Sequence, residues 1–258
     1  MYYQIKSYLK FLLKSTNQHG VHSPFVYNLV TKCFYAKTAN EKLLLSKKYR
    51  ALLYQDNTKI SITDFGKGSR VFKTNERKVA KIAKIAGINK GKSRLLIRIV
   101  EYLKPKTILE IGTSLGIGTA SLKIGDQTAS ITTLEGCPKT LEVAKNQLNL
   151  FDFSDIQFIE GDFKKTLSTA FKNTTFDLVY FDGNHQKKPT INYFEQCIKH
   201  ASNESVFIFD DIHWSKEMTE AWEYIKNHKK VSVSIDIYSW GIVFFRKEQL
   251  KEHFVIRV

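Results

Sequence analysis

Cysteine, acidic residues and long apolar runs are all scarce in this 258-residue chain, and each scarcity rules something out. Cys33, Cys137 and Cys197 stand far apart with no CxxC spacing, which argues against a disulfide framework and against a zinc site. No apolar stretch has the length of a bilayer span. The opening segment, 1–14, is broken by Lys6, Lys10 and Lys14 and so differs from the apolar core of a secretion signal; a reducing cytoplasm is the expected compartment. Internal repeats and low-complexity linkers are missing too, so one cooperative unit is expected. Against 40 Lys+Arg there are 25 Asp+Glu, a net charge of +15. Such a surplus attracts polyanions. The lysines are spread along helical stretches, not gathered into an arginine-rich, aromatic-interleaved patch, and they read first as a solvated surface.

A hydrophobic content of 43% and an aromatic content of 13% suit a chain that buries a sizeable core. From residue 107 onward, short apolar runs (107–111, 131–135, 156–159, 177–182, 205–211) alternate with helical patterns at 138–150 and 189–200. Alternation of this kind reads as βαβ units building a parallel sheet. The end differs: runs at 231–238 and 241–246 are separated by Ser239 and Trp240 alone, a link so short that it predicts an antiparallel hairpin. The expected fold is therefore α/β, a doubly wound, mostly parallel, seven-stranded Rossmann-like sheet with an antiparallel C-terminal hairpin. Segments 2–14, 24–35, 41–54, 75–86 and 92–103 carry helical patterns, so residues 1–103 are expected as an N-terminal helical cap on a domain of residues 104–258.

The chemistry concentrates where the first run, ending Leu109-Glu110-Ile111, enters Gly112-Thr113-Ser114-Leu115-Gly116-Ile117-Gly118. Gly112 permits a sharp turn at the strand end, and Gly116 would let a helix begin close to a ligand with no Cβ in between. Glu110 at that tip suits the cationic amino acid part of S-adenosylmethionine and would repel the phosphates of a dinucleotide. The spacing Gly112, Gly116, Gly118 also fits short-chain dehydrogenases. Those need a Tyr-xxx-Lys pair downstream, whereas Tyr2/Lys6 and Tyr102/Lys106 both precede the loop, and Pro105 interrupts the second. Two more acids follow at strand ends. Glu135, next to Gly136, can accept both ribose hydroxyls, and Asp162 can take the adenine amino group while Phe163 lies against the ring. Glu110, Gly112, Thr113, Ser114, Gly116, Glu135, Gly136, Asp162 and Phe163 are thus the expected cofactor-binding residues.

With Ser114 at the centre of Glu110-Ile-Gly-Thr-Ser-Leu-Gly116, the motif resembles the GxxxG variant of the catechol and caffeoyl-CoA type O-methyltransferases, within the class I S-adenosylmethionine-dependent methyltransferases. The resemblance covers residues 104–246. It implies methyl transfer to a hydroxyl of a small-molecule acceptor. The next two strand ends read Tyr180-Phe181-Asp182-Gly183-Asn184-His185 and Phe209-Asp210-Asp211-Ile212-His213. Asp182, Asp210 and Asp211 are oxygen ligands that suit Mg²⁺ or another divalent cation. Asp182 and Asp210 fall at the family's metal positions, while Asp211 stands where the family has Asn. His185 occupies the position of the family's general-base lysine, and Asp182 and His185 are the expected catalytic pair, with Asp182 also near the cofactor. Lys187 and His213 are the fallback bases. A nucleic-acid acceptor and a non-catalytic cofactor-binding protein stay open as alternatives, and a homodimer is compatible with the pattern.

The N-terminal half adds three signals. Ser23-Pro24 reads as a helix start, and His19 and His22 flank it as surface or substrate-facing residues. Asp64-Phe-Gly-Lys-Gly-Ser69 reads as a lid or a connecting turn. Residues 2–14 form a basic amphipathic helix that packs on protein or rests on an acidic membrane.

Overall fold

Capping side chains set several helix starts. The computed structural model describes residues 2–63, 74–172 and 174–258, so the loop 64–69 lies outside the described residues. The chain opens with α1 (Tyr2–Lys14) and α2 (Pro24–Leu29), which runs on into a π-helical turn, Val30–Phe34. Ser23 accepts the Val26 N–H at 3.4 Å and Pro24 sits in the first turn, as its sequence predicts. α3 (Asn40–Gln55) leads to β1 (Lys59–Ser61), then β2 (Glu76–Lys78), α4 (Val79–Ile85) and α5 (Lys90–Leu103). Here the expected helix 75–86 begins late. Glu76–Lys78 pairs antiparallel with Lys59–Ser61, and backbone pairing outweighs the weak helical pattern of those three charged residues. Asn89 caps α5 by accepting from Lys92 N at 2.9 Å, and Lys104 ends it in the left-handed region just before Pro105.

The strands and helices then alternate: β3 (Thr107–Ile111), α6 (Ile117–Gly125), β4 (Ser130–Glu135), α7 (Pro138–Asn149), β5 (Ile156–Glu160), α8 (Phe163–Ala170), β6 (Leu178–Phe181), α9 (Lys187–Cys197), β7 (Val206–Asp210) and α10 (Lys216–Asn227). β8 (Val233–Asp236), β9 (Trp240–Phe244) and β10 (Glu252–Val255) close the chain. The order in the main sheet is β10-β8-β9-β7-β6-β3-β4-β5. The doubly wound α/β fold and the antiparallel β8–β9 hairpin are as the patterning implies, with eight strands instead of seven. The added strand, β10, pairs parallel to β8. Its first two residues, Glu252 and His253, are exposed, so it lacks the apolar run by which buried parallel strands are recognised.

The chain packs as two units, one of Met1–Tyr35 with Phe171–Val258 and one of Ala36–Ala170. This division falls elsewhere than the 103/104 boundary expected from composition. α1 and α2 belong with the C-terminal strands because Thr16 joins the edge: its N–H donates to Val255 O at 2.9 Å, and Arg257 N donates to Thr16 O at 3.0 Å. In the second unit, β3, β4 and β5 are parallel, with Glu110 beside Thr133 and Glu135 beside Glu160.

The core of the first unit is aromatic. Phe181 stacks on Phe209 at 4.2 Å, and Trp222 and Trp240 are almost wholly buried. Gly241 on β9 faces Trp222 so closely that a Cβ there would lie 2.5 Å from the indole Cε3 and Cζ3. Gly241→Ala is therefore expected to destabilise the protein by ~1–3 kcal/mol through overpacking. Urea unfolding should show a lower midpoint with an unchanged m-value, and a neutral result would mean that Trp222 can move aside.

Candidate active site

The C-terminal tip of β3 buries a carboxylate. Glu110 is fully buried, and its Oε2 accepts from the Thr119 hydroxyl on α6 and from the Thr133 hydroxyl on β4, the latter at 2.7 Å. The β3–β4 register, which sets Glu110 opposite Thr133, makes the second bond unavoidable. Thr113 Oγ1 lies 2.6 Å from Thr133 Oγ1 and extends the same network. Oε1 of Glu110 has no hydrogen-bond partner among the described residues. Burial pushes this carboxyl up to about 7, the Thr119 and Thr133 hydroxyls pull it down, and the nearby Glu135 charge pushes it up. A buried, half-satisfied carboxylate is a place where a cation is stabilising.

Glu135 ends β4 and braces the glycine loop. Its Oε2 accepts the Ser114 N–H at 2.7 Å, and its Oε1 accepts the Cys137 N–H at 2.8 Å. Burial raises the Glu135 pKa, while the N–H groups of Cys137, Ser114 and Gly136 and the Thr140 hydroxyl oppose the shift. The loop is held in left-handed backbone, with φ +111° at Gly112, +48° at Ser114 and +75° at Gly116. What the missing Cβ of Gly116 spares is a protein group: a Cβ would lie 2.6 Å from the Tyr49 hydroxyl. Tyr49, from α3, donates to Leu115 O at 3.0 Å. The close approach expected of a ligand at Gly116 is thus made by a tyrosine for which the sequence offers no signal. Asp162 accepts the Lys164 N–H at 3.0 Å and so caps α8, beginning at Phe163.

The other unit carries the β6 and β7 tips. The Tyr180 hydroxyl donates to Asp182 Oδ2 at 3.1 Å, and His185 Nε2 stands 3.9 Å from Asp182 Oδ1, an ion-pair separation beyond hydrogen-bond reach. His185 and Asp210 line one narrow crevice with Phe181, Tyr193 and Met218. Asp210 Oδ1 accepts the N–H of Asp211, whose backbone, like that of Asn184, is left-handed (φ +54° and +51°). Non-glycine residues are held this way where surrounding contacts over-determine the backbone. Among the described residues, no three His, Cys, Asp or Glu side chains gather as a set able to hold a metal. Of the three aspartates expected as ligands, Asp210 turns one oxygen to the Asp211 N–H, and Asp182 faces Tyr180 and His185.

Residues 109–212 match the family model described as a methyltransferase domain. The fold has solved counterparts. An S-adenosylhomocysteine-bound methyltransferase from Podospora anserina aligns at 15% identity over 88% of this chain and 97% of its own, with a TM-score of 0.61. An O-methyltransferase from Bacillus cereus in complex with S-adenosylhomocysteine aligns at 18% identity over 83% and 94%, with a TM-score of 0.58. A putative caffeoyl-CoA O-methyltransferase from Staphylococcus aureus aligns at 16% identity over 64% and 88%, with a TM-score of 0.57. Residues 109–212 thus carry the similarity to a methyltransferase domain, and the solved counterparts share the fold.

The fallback bases are engaged elsewhere. Lys187 Nζ donates to Glu220 Oε2 at 2.7 Å. His213 has Nε2 2.8 Å from Asp236 Oδ2 and Nδ1 3.2 Å from Thr219 Oγ1. In the N-terminal turn, His19 is exposed and its Nε2 lies 3.1 Å from Gln18 Nε2; His22 is exposed as well. Thr119, Thr133 and Tyr180 are the supporting residues that sequence reasoning missed. Thr119 sits just past the glycine loop and Thr133 two residues before Glu135, so both could have been found by asking which strand neighbours face the acids.

The raised Glu110 pKa has a signed consequence for stability. Between the ordinary value of 4.5 and about 7, the folded protein binds a proton that the unfolded chain has lost. Stability of the protein therefore falls as pH rises through that window and levels off above it, by roughly 3 kcal/mol at most. Glu110→Gln should flatten this part of the profile in denaturant melts from pH 4 to 8, and an unchanged slope would place the titration elsewhere.

Proposed function

We propose that the protein uses S-adenosylmethionine to methylate a hydroxyl of a small-molecule acceptor. The observation that carries the reading is the unpartnered Oε1 of the fully buried Glu110 at the β3 tip, which a cationic amino group would complete. Glu135 fits the ribose by its place at the β4 tip, next to the glycine loop whose Ser114 N–H it accepts. Asp162 and Phe163 fit the adenine end. S-adenosylhomocysteine in two of the structural counterparts is in keeping with this assignment.

When bound, S-adenosylmethionine supplies an electrophilic methyl group on a sulfonium. This chain's residues supply the proton acceptor. His185 turns Nε2 toward Asp182, so Nδ1 is the atom that takes the acceptor's hydroxyl proton, and the Asp182 carboxylate stabilises the imidazolium so formed. Tyr180 holds Asp182 in place through its second oxygen. No step is routed through a divalent cation, because the three aspartates do not assemble as ligands.

Calorimetry with S-adenosylmethionine tests the cofactor half. Near pH 6, where Glu110 holds its proton, binding should release about one proton, seen as a dependence on buffer ionisation enthalpy. The release should vanish at pH 9 and in Glu110→Gln. Absence of binding would remove the reading altogether. For the catalytic half, His185→Gln should lower kcat by about 10²-fold or more with cofactor affinity unchanged. Turnover on a small-molecule hydroxyl pool should persist in EDTA. Loss in EDTA with recovery in Mg²⁺ would restore the aspartates as ligands, and product found only in an RNA fraction would replace the acceptor class.

A further inference from the structure

α1 is apolar on the side that faces away from the protein. Its inner side is anchored: Phe11 is buried, Tyr8 and Phe11 lie 4.8 and 5.5 Å from the Tyr238 ring, and the Tyr238 hydroxyl donates to Gln4 O at 2.8 Å. A surface helix anchored in this way ordinarily turns polar residues outward. Instead Tyr2, Ile5, Leu9 and Leu13 point away from the core, 81%, 56%, 56% and 88% exposed, and Leu12 and Tyr8 extend the same arc. At 100° per residue these six cover about 140° of the helix without interruption. Exposed apolar area of this continuity marks an interaction surface.

The charges beside the arc point to the occupant. Lys6, Lys10 and Lys14, spaced by four, form a stripe along one edge of it, and no acidic residue occurs between Tyr2 and Lys14. The same three lysines line a cavity of about 460 Å³ with Lys226 and His253. Glu223 and Asp236 line the same cavity; burial and then the Lys226 charge lower the His253 pKa to about 4 against these two acids. A second copy of this chain would offer no acid on its own α1 to meet the stripe, whereas a bilayer of anionic lipids presents phosphates above an apolar layer. At 13 residues the helix is about 20 Å long, so it lies along a surface; no helix among the described residues is long and apolar enough to cross a membrane.

We propose that α1 docks the protein on anionic membranes, with Ile5, Leu9 and Leu13 entering the headgroup–acyl boundary and Lys6, Lys10 and Lys14 meeting lipid phosphates. Such a helix combines apolar burial with attraction to charged lipid, and neither part suffices alone. The inference does not rest on the methyltransferase reading.

Vesicle flotation of the full chain tests it, with phosphatidylcholine alone or mixed with phosphatidylglycerol. The protein should float with the mixed vesicles, stay unbound with phosphatidylcholine alone, and dissociate as salt is raised. Leu9→Ser with Leu13→Ser should abolish flotation while leaving the circular dichroism spectrum intact, because both side chains are exposed. Lys6→Gln and Lys10→Gln should each weaken binding about fivefold. Failure to float with either vesicle, or equal flotation with both, would overturn the proposal. So would a concentration-dependent dimer in sedimentation that the leucine substitutions dissociate, which would assign the surface to a second copy.

Discussion

A carboxylate sealed inside protein at the end of β3 is the constraint on which the functional reading of this protein depends. Desolvating a charge is expensive, and two threonine hydroxyls offset only part of that at Glu110. Burial therefore lifts the carboxyl toward neutrality, and one oxygen stays without a partner. An acid in this state is poised for a cation and poorly suited to phosphate. That distinction separates a sulfonium nucleoside from a dinucleotide more firmly than glycine spacing does.

The rest of the Ala36–Ala170 unit is arranged around the same tip. Parallel pairing brings Glu110 to Thr133 and aligns Glu135 with Glu160, so the register that builds the sheet also places the polar network. Glu135 then ties the glycine loop to the turn after β4, accepting the N–H of Ser114 from one and of Cys137 from the other. Tyr49 locks the loop from outside by filling the space that glycine leaves at position 116. Ser114, the one non-glycine residue of the loop in left-handed backbone (φ +48°), is held there by the bond from its N–H to Glu135.

At the β6 and β7 tips a comparable economy governs the titratable groups. Lys187 is bound by Glu220 and His213 by Asp236, while His185 stands 3.9 Å from Asp182. The departures from the catechol-type pattern, His185 in place of lysine and Asp211 in place of asparagine, coincide with a donor arrangement that does not gather three metal ligands.

Patterning alone was enough for the α/β class, the order of strands and helices, the terminal hairpin and the acids at the strand ends. Those features follow from local rules, namely apolar periodicity, loop length and capping, which act over a few residues. The partnering of side chains from distant segments was not legible. Thr119 and Thr133 on one oxygen of Glu110, Tyr49 over Gly116, and the engagement of His213 by Asp236 all join residues whose separation carries no periodic signal. The edge strand β10 escaped notice because its exposed residues have no apolar run, and the N-terminal segment joins the C-terminal strands through the bridge at Thr16 and the packing of Tyr8 and Phe11 on Tyr238. Which residues occur at each strand end is thus written locally in the chain. Which of them are left unsatisfied, and so able to act, depends on packing that no local pattern encodes.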